Sequence, residues 1–436
     1  MWGTLDEAPA AAARLAPPAG GAHWTRLRPV VLSLLALVVL IAGAVQVVTL
    51  VNSWLMEGDD FAQYWAGARA VATGRSPYEW AQANQPLEVT DYNYPPLLAL
   101  LLAPVTLVLD YPTARWAWLA FSALCVGIGV VVAWRTSGVR WREPSGIAAL
   151  AFIGLLPATC IALEMGQLSP QLLLVIALSY GALGRHAGWA GALAAVATYL
   201  KSFPGLLLGN LLLRRQWRAC IAAISAGLAL VAASLAVLGW EAHWEYVTRV
   251  IPAQSRWLGG PFNVSLTGFF TRLFVDTPFT SPIVAAQGAG LALIALSTLL
   301  VLAATGYWAA RARSSAEGER AAFALTVVAM MLVAPINGQY NLALALVPLA
   351  ELVASVQRRW PHGLRWLLLV WLLLSLPVEF CDLGLFTHWC GPDLSNVPVK
   401  DLPWRQGWGN LLMSARFFGL VSLWALLIRL CLERSR

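Results

Sequence analysis

Two adjacent carboxylates follow the first long apolar run of this chain of 436 residues. Asp59 and Asp60 stand in EGDDF at 57–61. The stretch at 60–73 has helical spacing, and we expect it to lie along the membrane surface as a short amphipathic helix of the first outer loop. A carboxylate at a membrane surface is suited to general-base chemistry, in which it takes the proton of an attacking hydroxyl. Two alternatives stay open at this point: Asp60 caps the N-terminus of the helix, or both carboxylates bind a metal ion.

Lys201 is a second residue with a candidate chemical role. It stands in AVATYLKSFPGLLL at 195–208, between two short apolar halves, and Lys400 is the only other lysine among the 29 basic residues. Arginine fills the basic positions that are clustered between the apolar runs, so a lysine near Pro204 is unusual here. An ammonium group at the membrane surface would bind a phosphate, and the alternative is an anchor whose charged end reaches the interface.

Polar islands interrupt the apolar runs at five further places. They are GRSPY at 74–78, DYNYPP at 91–96, EMGQLSPQ at 164–171, NVSLTG at 263–268 followed by Arg272, and PINGQYN at 335–341. Polar groups beside a membrane are costly, which makes these islands candidates for binding. Each also has a plainer interpretation, because tyrosines anchor helices at the membrane interface and Gly or Pro marks a turn.

The elements that must position these residues are membrane helices. Hydrophobic residues make up 59% of the chain and charged residues 12%, against about 45–50% and about 25% in soluble domains. A spanning helix needs about 20 apolar residues. The clear candidates are 30–51, 115–134, 146–163, 168–184, 219–238, 283–308, 320–334, 342–356, 364–380 and 410–430, and 94–109, 187–199 and 203–213 are shorter. We predict an all-α polytopic integral membrane protein with about 11 to 13 crossings.

The net charge of +7 is an orientation signal, because arginines cluster between the apolar runs. The clusters are Arg135/Arg140/Arg142, Arg214/Arg215/Arg218, Arg311/Arg313/Arg320, Arg358/Arg359/Arg365 and Arg429/Arg434/Arg436. With these inside, 1–28 is a disordered cytoplasmic tail, 29–436 is a single transmembrane domain, and the loops 52–93, 240–282 and 381–409 lie outside. The cluster at 135–142 stays inside only if 94–109 does not cross fully; otherwise 187–213 is one kinked span and that cluster breaks the rule.

Several function classes are excluded by what the sequence lacks. It contains no P-loop, GxGxxG, HExxH or CxxC fingerprint, which argues against ATP-driven transport and against a zinc hydrolase. The arginines do not share one polar face, so nucleic acid is not expected as a partner. Cys381 and Cys390 share an outer loop, where a disulfide is one interpretation.

Taken in order, the islands resemble glycosyltransferase family 87, a family of integral membrane enzymes with a C-type glycosyltransferase fold. The motifs that carry the resemblance are Asp60-Phe61 with Tyr64, Gly74 to Tyr78, Tyr94 to Pro96, Gly166-Gln167, Lys201 to Pro204, Asn263 to Leu266, and Pro335 to Asn341. The resemblance implies transfer of mannose or a pentose from a polyprenyl-phosphate donor, with inversion at the anomeric carbon. Family members with His in the late island differ from this chain, which has Gln339, Tyr340 and Asn341 there.

The roles that fit this chemistry are a base, phosphate ligands and sugar ligands. Asp60 is predicted as the base, with Asp59 as second candidate, because a hydroxyl is a poor nucleophile. Phosphate ligands are Lys201, Arg272 and Arg75. Sugar or acceptor ligands are Tyr64, Tyr78, Tyr94, Gln167, Asn263, Asn337 and Gln339. No cofactor and no metal are expected. The partners are the polyprenyl-phosphate sugar, a lipid or glycan acceptor and membrane lipids, at a site on the outer face of the plasma membrane. We also consider a transporter or lipid flippase, and a structural subunit.

Overall fold

The structure is a computed structural model that describes residues 59–79, 92–140, 156–312, 315–358, 363–376 and 399–433. The predicted tail at 1–28, the first predicted span at 30–51 and the loop with Cys381 and Cys390 lie outside the described residues.

Helices make up most of the described chain, and no β-strand occurs within those ranges. They are α1 (Asp59–Ala72), α2 (Pro96–Val108), α3 (Tyr111–Ser137), α4 (Pro157–Glu164), α5 (Ser169–Ala182), α6 (Ala187–Leu200), α7 (Leu206–Leu213), α8 (Trp217–Glu245), α9 (Leu266–Phe274), α10 (Gln287–Arg311), α11 (Ala316–Val333), α12 (Leu346–Arg358), α13 (Leu364–Ser375) and α14 (Ala415–Glu433). Short 3-10 helices occupy Phe203–Gly205 and Gln339–Ala345. The predicted all-α membrane fold is confirmed.

Long apolar helices surround a buried centre, as expected for a bundle in lipid. Five helical stretches in the described ranges are long and apolar enough to cross a membrane: Tyr111–Ser137, Trp217–Trp257, Gln287–Arg311, Gln339–Arg358 and Ala415–Glu433. On α8 and α10, apolar residues such as Ile224 and Leu299 are more than 60% exposed, whereas the side chains of α11 from Ala321 to Leu332 are buried. The outer helices thus present apolar faces to lipid, and α11 forms the core.

The predicted helix at 60–73 forms as α1, but it does not lie along a surface. Among residues 60–72, Arg69 is the one exposed residue, and its guanidinium donates to the Thr106 carbonyl at 2.7 Å. Small residues permit this burial, since a Cβ added at Gly67 would lie 2.8 Å from the Tyr92 ring. The helix packs against α2, so its position is fixed by protein contacts rather than by an amphipathic face.

The helix α2 does not carry the chain to the far end of the bundle. Its 13 residues span about 20 Å, less than the hydrocarbon core of about 30 Å. Tyr94 before it contacts Tyr64 of α1 at a ring distance of 4.8 Å, and Tyr111 after it contacts Phe61 of α1 at 6.0 Å. Both ends of α2 therefore stay beside α1, which supports the alternative that 94–109 does not cross fully.

The helix α3 then runs away from α1 over 27 residues, or about 40 Å. It begins at Tyr111 and ends near Arg135 and Arg140, where Arg140 donates to the Gln357 carbonyl at 2.8 Å. This arginine cluster lies at the end of α3 opposite to α1. The arginine cluster that predicts the membrane orientation and the residues of α1 with predicted chemical roles thus lie at opposite ends of α3.

Candidate active site

Segments that end or interrupt helices meet near the start of α1 and enclose a cavity of about 430 Å³. Among the residues that line it are Asp60, Tyr94, Gln167, Lys201 and Gln339, all of which the sequence predicted as site residues. Phe203, Tyr246, Trp257 and Phe262 supply an aromatic part of the wall. A cavity with a mostly apolar wall and a few converging polar groups is the usual form of a small-molecule or lipid site.

Asp60 lies in the first turn of α1 and accepts hydrogen bonds at both carboxylate oxygens. Gln63 Nε2 donates to Oδ1 at 2.8 Å, and Gln167 Nε2 donates to Oδ2. The backbone N–H of Asp60 donates to the Met165 carbonyl at 3.1 Å, which satisfies one N–H at the start of the helix. The carboxylate is thus oriented from two sides at the cavity wall.

A glycine brings the segment after α4 close enough to hold Asp60. Gly166 has a φ of +66°, and a Cβ added there would lie 2.8 Å from the Phe61 Cβ. Only glycine combines this left-handed backbone with so close a contact. The Gly166 carbonyl accepts from the Trp118 indole N–H at 2.8 Å, so the turn is fixed on its other side as well.

Lys201 lies at the break between α6 and α7, as the sequence predicted from Pro204. Its backbone is extended, with φ −145° and ψ 137°, and it ends α6. The ammonium Nζ donates to Asn341 Oδ1 at 3.2 Å and to Gln167 Oε1 at 3.5 Å, and it lies 4.9 Å from the centre of the Tyr340 ring. It is close enough to Asp60 to interact with it electrostatically. One cavity wall thus carries a carboxylate and a cation.

Tyrosines of α1 and of the segment between α1 and α2 support this wall from behind. The Tyr94 hydroxyl donates to Gln167 Oε1 at 3.1 Å, and the Tyr78 hydroxyl donates to the Tyr94 carbonyl at 2.8 Å. Tyr78 and Tyr64 are buried and do not line the cavity. Burial raises the pKa of the Tyr64 phenol well above its ordinary value, so that group is neutral. Both side chains contact Tyr94 rather than the cavity.

Asn263 and Arg272, two predicted ligand residues between α8 and α10, have hydrogen-bond partners within the protein. Asn263 Nδ2 donates to the carbonyls of Leu258 and Pro335, both at 2.9 Å, and its Oδ1 accepts from the N–H groups of Ser265 and Asn337. An amide offers two donors and one acceptor oxygen, so this side chain has no capacity left for a sugar.

Arg272 is fully buried and does not line the cavity. Its guanidinium donates to the carbonyls of Gly260 at 3.0 Å and Asn263 at 2.7 Å, and to Ser414 Oγ at 3.1 Å. The guanidinium thus holds the loop before α9, whereas the sequence predicts a phosphate contact for it. Sequence alone does not distinguish the two uses, because both need a donor-rich cation.

Two further predicted residues, Arg75 and Asn337, do not line the cavity. Arg75 is exposed in the turn after α1, and Asn337 is buried with no hydrogen bond from its amide to the described residues. Asp59 begins α1, and its side chain is not described. Within the described residues, no group of three His, Cys, Asp or Glu is arranged to hold a metal ion.

Sequence reasoning missed several residues of the site. Gln63 and Asn341 contact the two charged groups, and Arg416 of α14 donates to Gln339 Oε1 from behind the wall. The spacing of Gln63 one turn after Asp60 was a usable signal, since residues three apart on a helix share a face. Arg416 gave no such signal, because its proximity to Gln339 is a tertiary contact.

The sequence of this chain was compared with known protein families. Residues 92–335, more than half of the chain, match glycosyltransferase family 87. This chain belongs to glycosyltransferase family 87. The resemblance predicted from the ordered islands is therefore confirmed, and the cavity belongs to a membrane protein of a glycosyltransferase family.

Two curated relatives align with this family 87 member. An alpha-(1->3)-arabinofuranosyltransferase of Corynebacterium glutamicum is 26% identical over 197 residues, which cover 44% of this chain and 46% of that protein. A polyprenol-phosphate-mannose-dependent alpha-(1-2)-phosphatidylinositol mannoside mannosyltransferase of Mycobacterium tuberculosis is 28% identical over 349 residues, 73% of this chain and 70% of that protein. The chain thus spans less than half the length of the first relative.

Two alternative functions make geometric predictions that differ from the structure. An assembly subunit is expected to have no shared cavity among the polar islands, with Asp60, Lys201 and Asn263 far apart. The transporter hypothesis would be favoured by Asp60 and Lys201 on opposite membrane faces. Both residues line the same cavity. The geometry therefore favours an enzyme with a base and a cation at one site.

Proposed function

We propose that this protein transfers a mannose-like hexose or a pentose from a polyprenyl-phosphate donor to a hydroxyl group of a lipid or glycan acceptor. The observation that carries the proposal is the presence of Asp60 and Lys201 on the wall of one cavity, linked through Gln167. The name of the mycobacterial relative includes a polyprenol-phosphate-mannose donor, and the name of the corynebacterial relative includes an arabinofuranosyl group.

The two charged groups have separate tasks in this reaction. The acceptor oxygen attacks the anomeric carbon, and Asp60 takes the proton that this oxygen loses. The bond between the anomeric carbon and the phosphate oxygen breaks, and its electron pair stays on that oxygen. Lys201 stabilises the negative charge of the phosphate. A lipid phosphate is already a good leaving group, so no paired carboxylate of the glycosidase type is needed.

The site would face the outside of the plasma membrane, with the N-terminus in the cytoplasm. Supporting this orientation, the arginine cluster near Arg140 and the cavity lie at opposite ends of α3. Basic residues are concentrated on the cytoplasmic side of membrane proteins. A lipid-linked donor in the outer leaflet is the class of substrate available there.

The experiment is incubation of purified protein with a panel of labelled polyprenyl-phosphate sugars and candidate acceptors, followed by measurement of released polyprenyl phosphate and glycosylated product. The donor sugar that is consumed identifies the substrate. We expect Asp60→Asn to lower kcat by about 1,000-fold or more while the protein still inserts and folds. Asp59→Asn is the matched control and should keep most activity. Full activity of Asp60→Asn would remove Asp60 from the mechanism, and loss only in Asp59→Asn would move the base to Asp59.

A further inference from the structure

We propose that Gln167 is a positioning residue that couples the base Asp60 to the cation Lys201, rather than a sugar ligand; this inference rests on the proposed function. The Gln167 side chain lies between the two groups and is 2% exposed. Its Nε2 donates to Asp60 Oδ2, and its Oε1 accepts from Tyr94 Oη at 3.1 Å and from Lys201 Nζ at 3.5 Å. Each end of the amide thus touches one of the two charged groups.

The chemistry of the neighbours fixes the direction of this amide. An ionised carboxylate only accepts hydrogen bonds, and an ammonium group only donates them. A reversed amide would place its oxygen against the carboxyl group of Asp60 and its N–H group against the ammonium group of Lys201. Both contacts would then be repulsive. Glutamine is therefore suited to this position in one orientation, in which its N–H group faces the carboxyl group of Asp60 and its oxygen faces the ammonium group of Lys201.

The backbone around Gln167 is held as firmly as its side chain. Its N–H donates to the Ala162 carbonyl at 2.9 Å, and the preceding Gly166 carbonyl accepts from the Trp118 indole. Positioning groups are effective when their own rotamers are fixed by such contacts. A change at Gln167 is therefore transmitted to both charged groups rather than absorbed by local movement.

Gln63 provides an internal comparison, because it shares only half of these contacts. Its Nε2 donates to the other oxygen of Asp60 at 2.8 Å, and Lys201 is not among its hydrogen-bond partners. If Gln167 couples the two groups, its loss alters both proton removal and donor binding. Loss of Gln63 alters proton removal alone.

The test compares Gln167→Met with Gln63→Met, since Met has a similar length and cannot replace the amide. We expect Gln63→Met to lower kcat about tenfold with the donor KM unchanged. Gln167→Met should lower kcat by about as much and also raise the donor KM about threefold or more. A merely structural role would lower the yield of folded protein without this split between kcat and KM.

A double-mutant cycle with Lys201→Met tests the coupling itself. The effects of Gln167→Met and Lys201→Met on kcat/KM should be non-additive, and those of Gln63→Met and Lys201→Met should add. Should Gln167→Met fail to fold, Gln167→Asn, which keeps the amide but shortens the side chain, is expected to give the same split. An unchanged donor KM together with additive effects would overturn the inference. Failure of the proposed function is distinguished by the wild-type protein, which would then release no polyprenyl phosphate from any donor of the panel.

Discussion

Two clusters of polar residues lie beside the same cavity and use their side chains in different ways. In the cavity cluster, formed by Asp60, Gln167 and Lys201, side chains bond mainly to other side chains and line the cavity. In the loop clamp, formed by Asn263 and Arg272, side chains bond mainly to backbone carbonyls of two loops. Both clusters fall in polar islands of the sequence, yet only the first presents its groups to the cavity.

The difference shows that hydrogen-bond capacity decides which polar residues are available to a ligand. The Asn263 amide has used its donors and its oxygen within the protein, and each further partner would have to displace one of these. Lys201 instead contacts oxygens of neutral amides and the faces of aromatic rings, which a phosphate with full negative charge can outcompete. Mutations in the loop clamp should therefore affect stability, and mutations in the cavity cluster should affect kinetics.

The largest effect on stability is expected from Asn263→Ala. This change removes four hydrogen bonds and leaves the buried N–H groups of Ser265 and Asn337 without this acceptor, so we expect a loss of about 3 kcal/mol. Thermal unfolding of the purified protein in detergent measures the loss. Asn337→Ala is the matched control, because Asn337 is equally buried but its amide has no hydrogen bond to the described residues. Equal losses in both variants would contradict the loop clamp.

The same comparison explains how much of the site could be predicted from the sequence. Lys201 was correctly placed at a helix break, because Pro204 and the change in residue type are local signals. The role of Asn263 could not be found in this way. It depends on the Pro335 carbonyl, 72 positions away, and on the hydrogen bond between the Val264 N–H and the Asn337 carbonyl. Local sequence reports which groups are polar, whereas tertiary structure decides which remain available.

The fold likewise has features that local sequence predicts and features that depend on tertiary contacts. The apolar runs gave most helices within a few residues, since a long apolar segment in lipid must satisfy its backbone hydrogen bonds internally. The position of α1 was not predictable from its own periodicity. Its burial depends on Gly67 against Tyr92 and on the contacts of Phe61 with Gly166, which bring distant segments together.

A second test replaces each of the two cations, Arg272 and Lys201, by the other basic residue type. Arg272→Lys should lower stability by about 2 kcal/mol, because one ammonium group cannot reach the three acceptors of the guanidinium fork. Its donor KM should stay within about twofold of the wild-type value. Lys201→Arg should do the reverse: it keeps the thermal midpoint but raises the donor KM, since a planar guanidinium is larger than the ammonium group that contacts Asn341 and Gln167. A raised donor KM for Arg272→Lys would instead show that Arg272 takes part in donor binding.

The smallest effect on stability, and the sharpest test of the cavity cluster, is expected from Gly166→Ala. A left-handed backbone costs alanine about 1 kcal/mol, and here its Cβ would also lie 2.8 Å from the Phe61 Cβ. Phe61 must then shift together with Asp60, so kcat should fall about tenfold or more while most of the protein stays folded. Gly184→Ala is the matched control: its φ is +75°, but its nearest neighbour is the end of the Glu319 side chain at 3.3 Å. It should show the conformational cost with unchanged kinetics. If both variants lose equal stability and neither loses activity, the contact between Gly166 and Phe61 does not position the base.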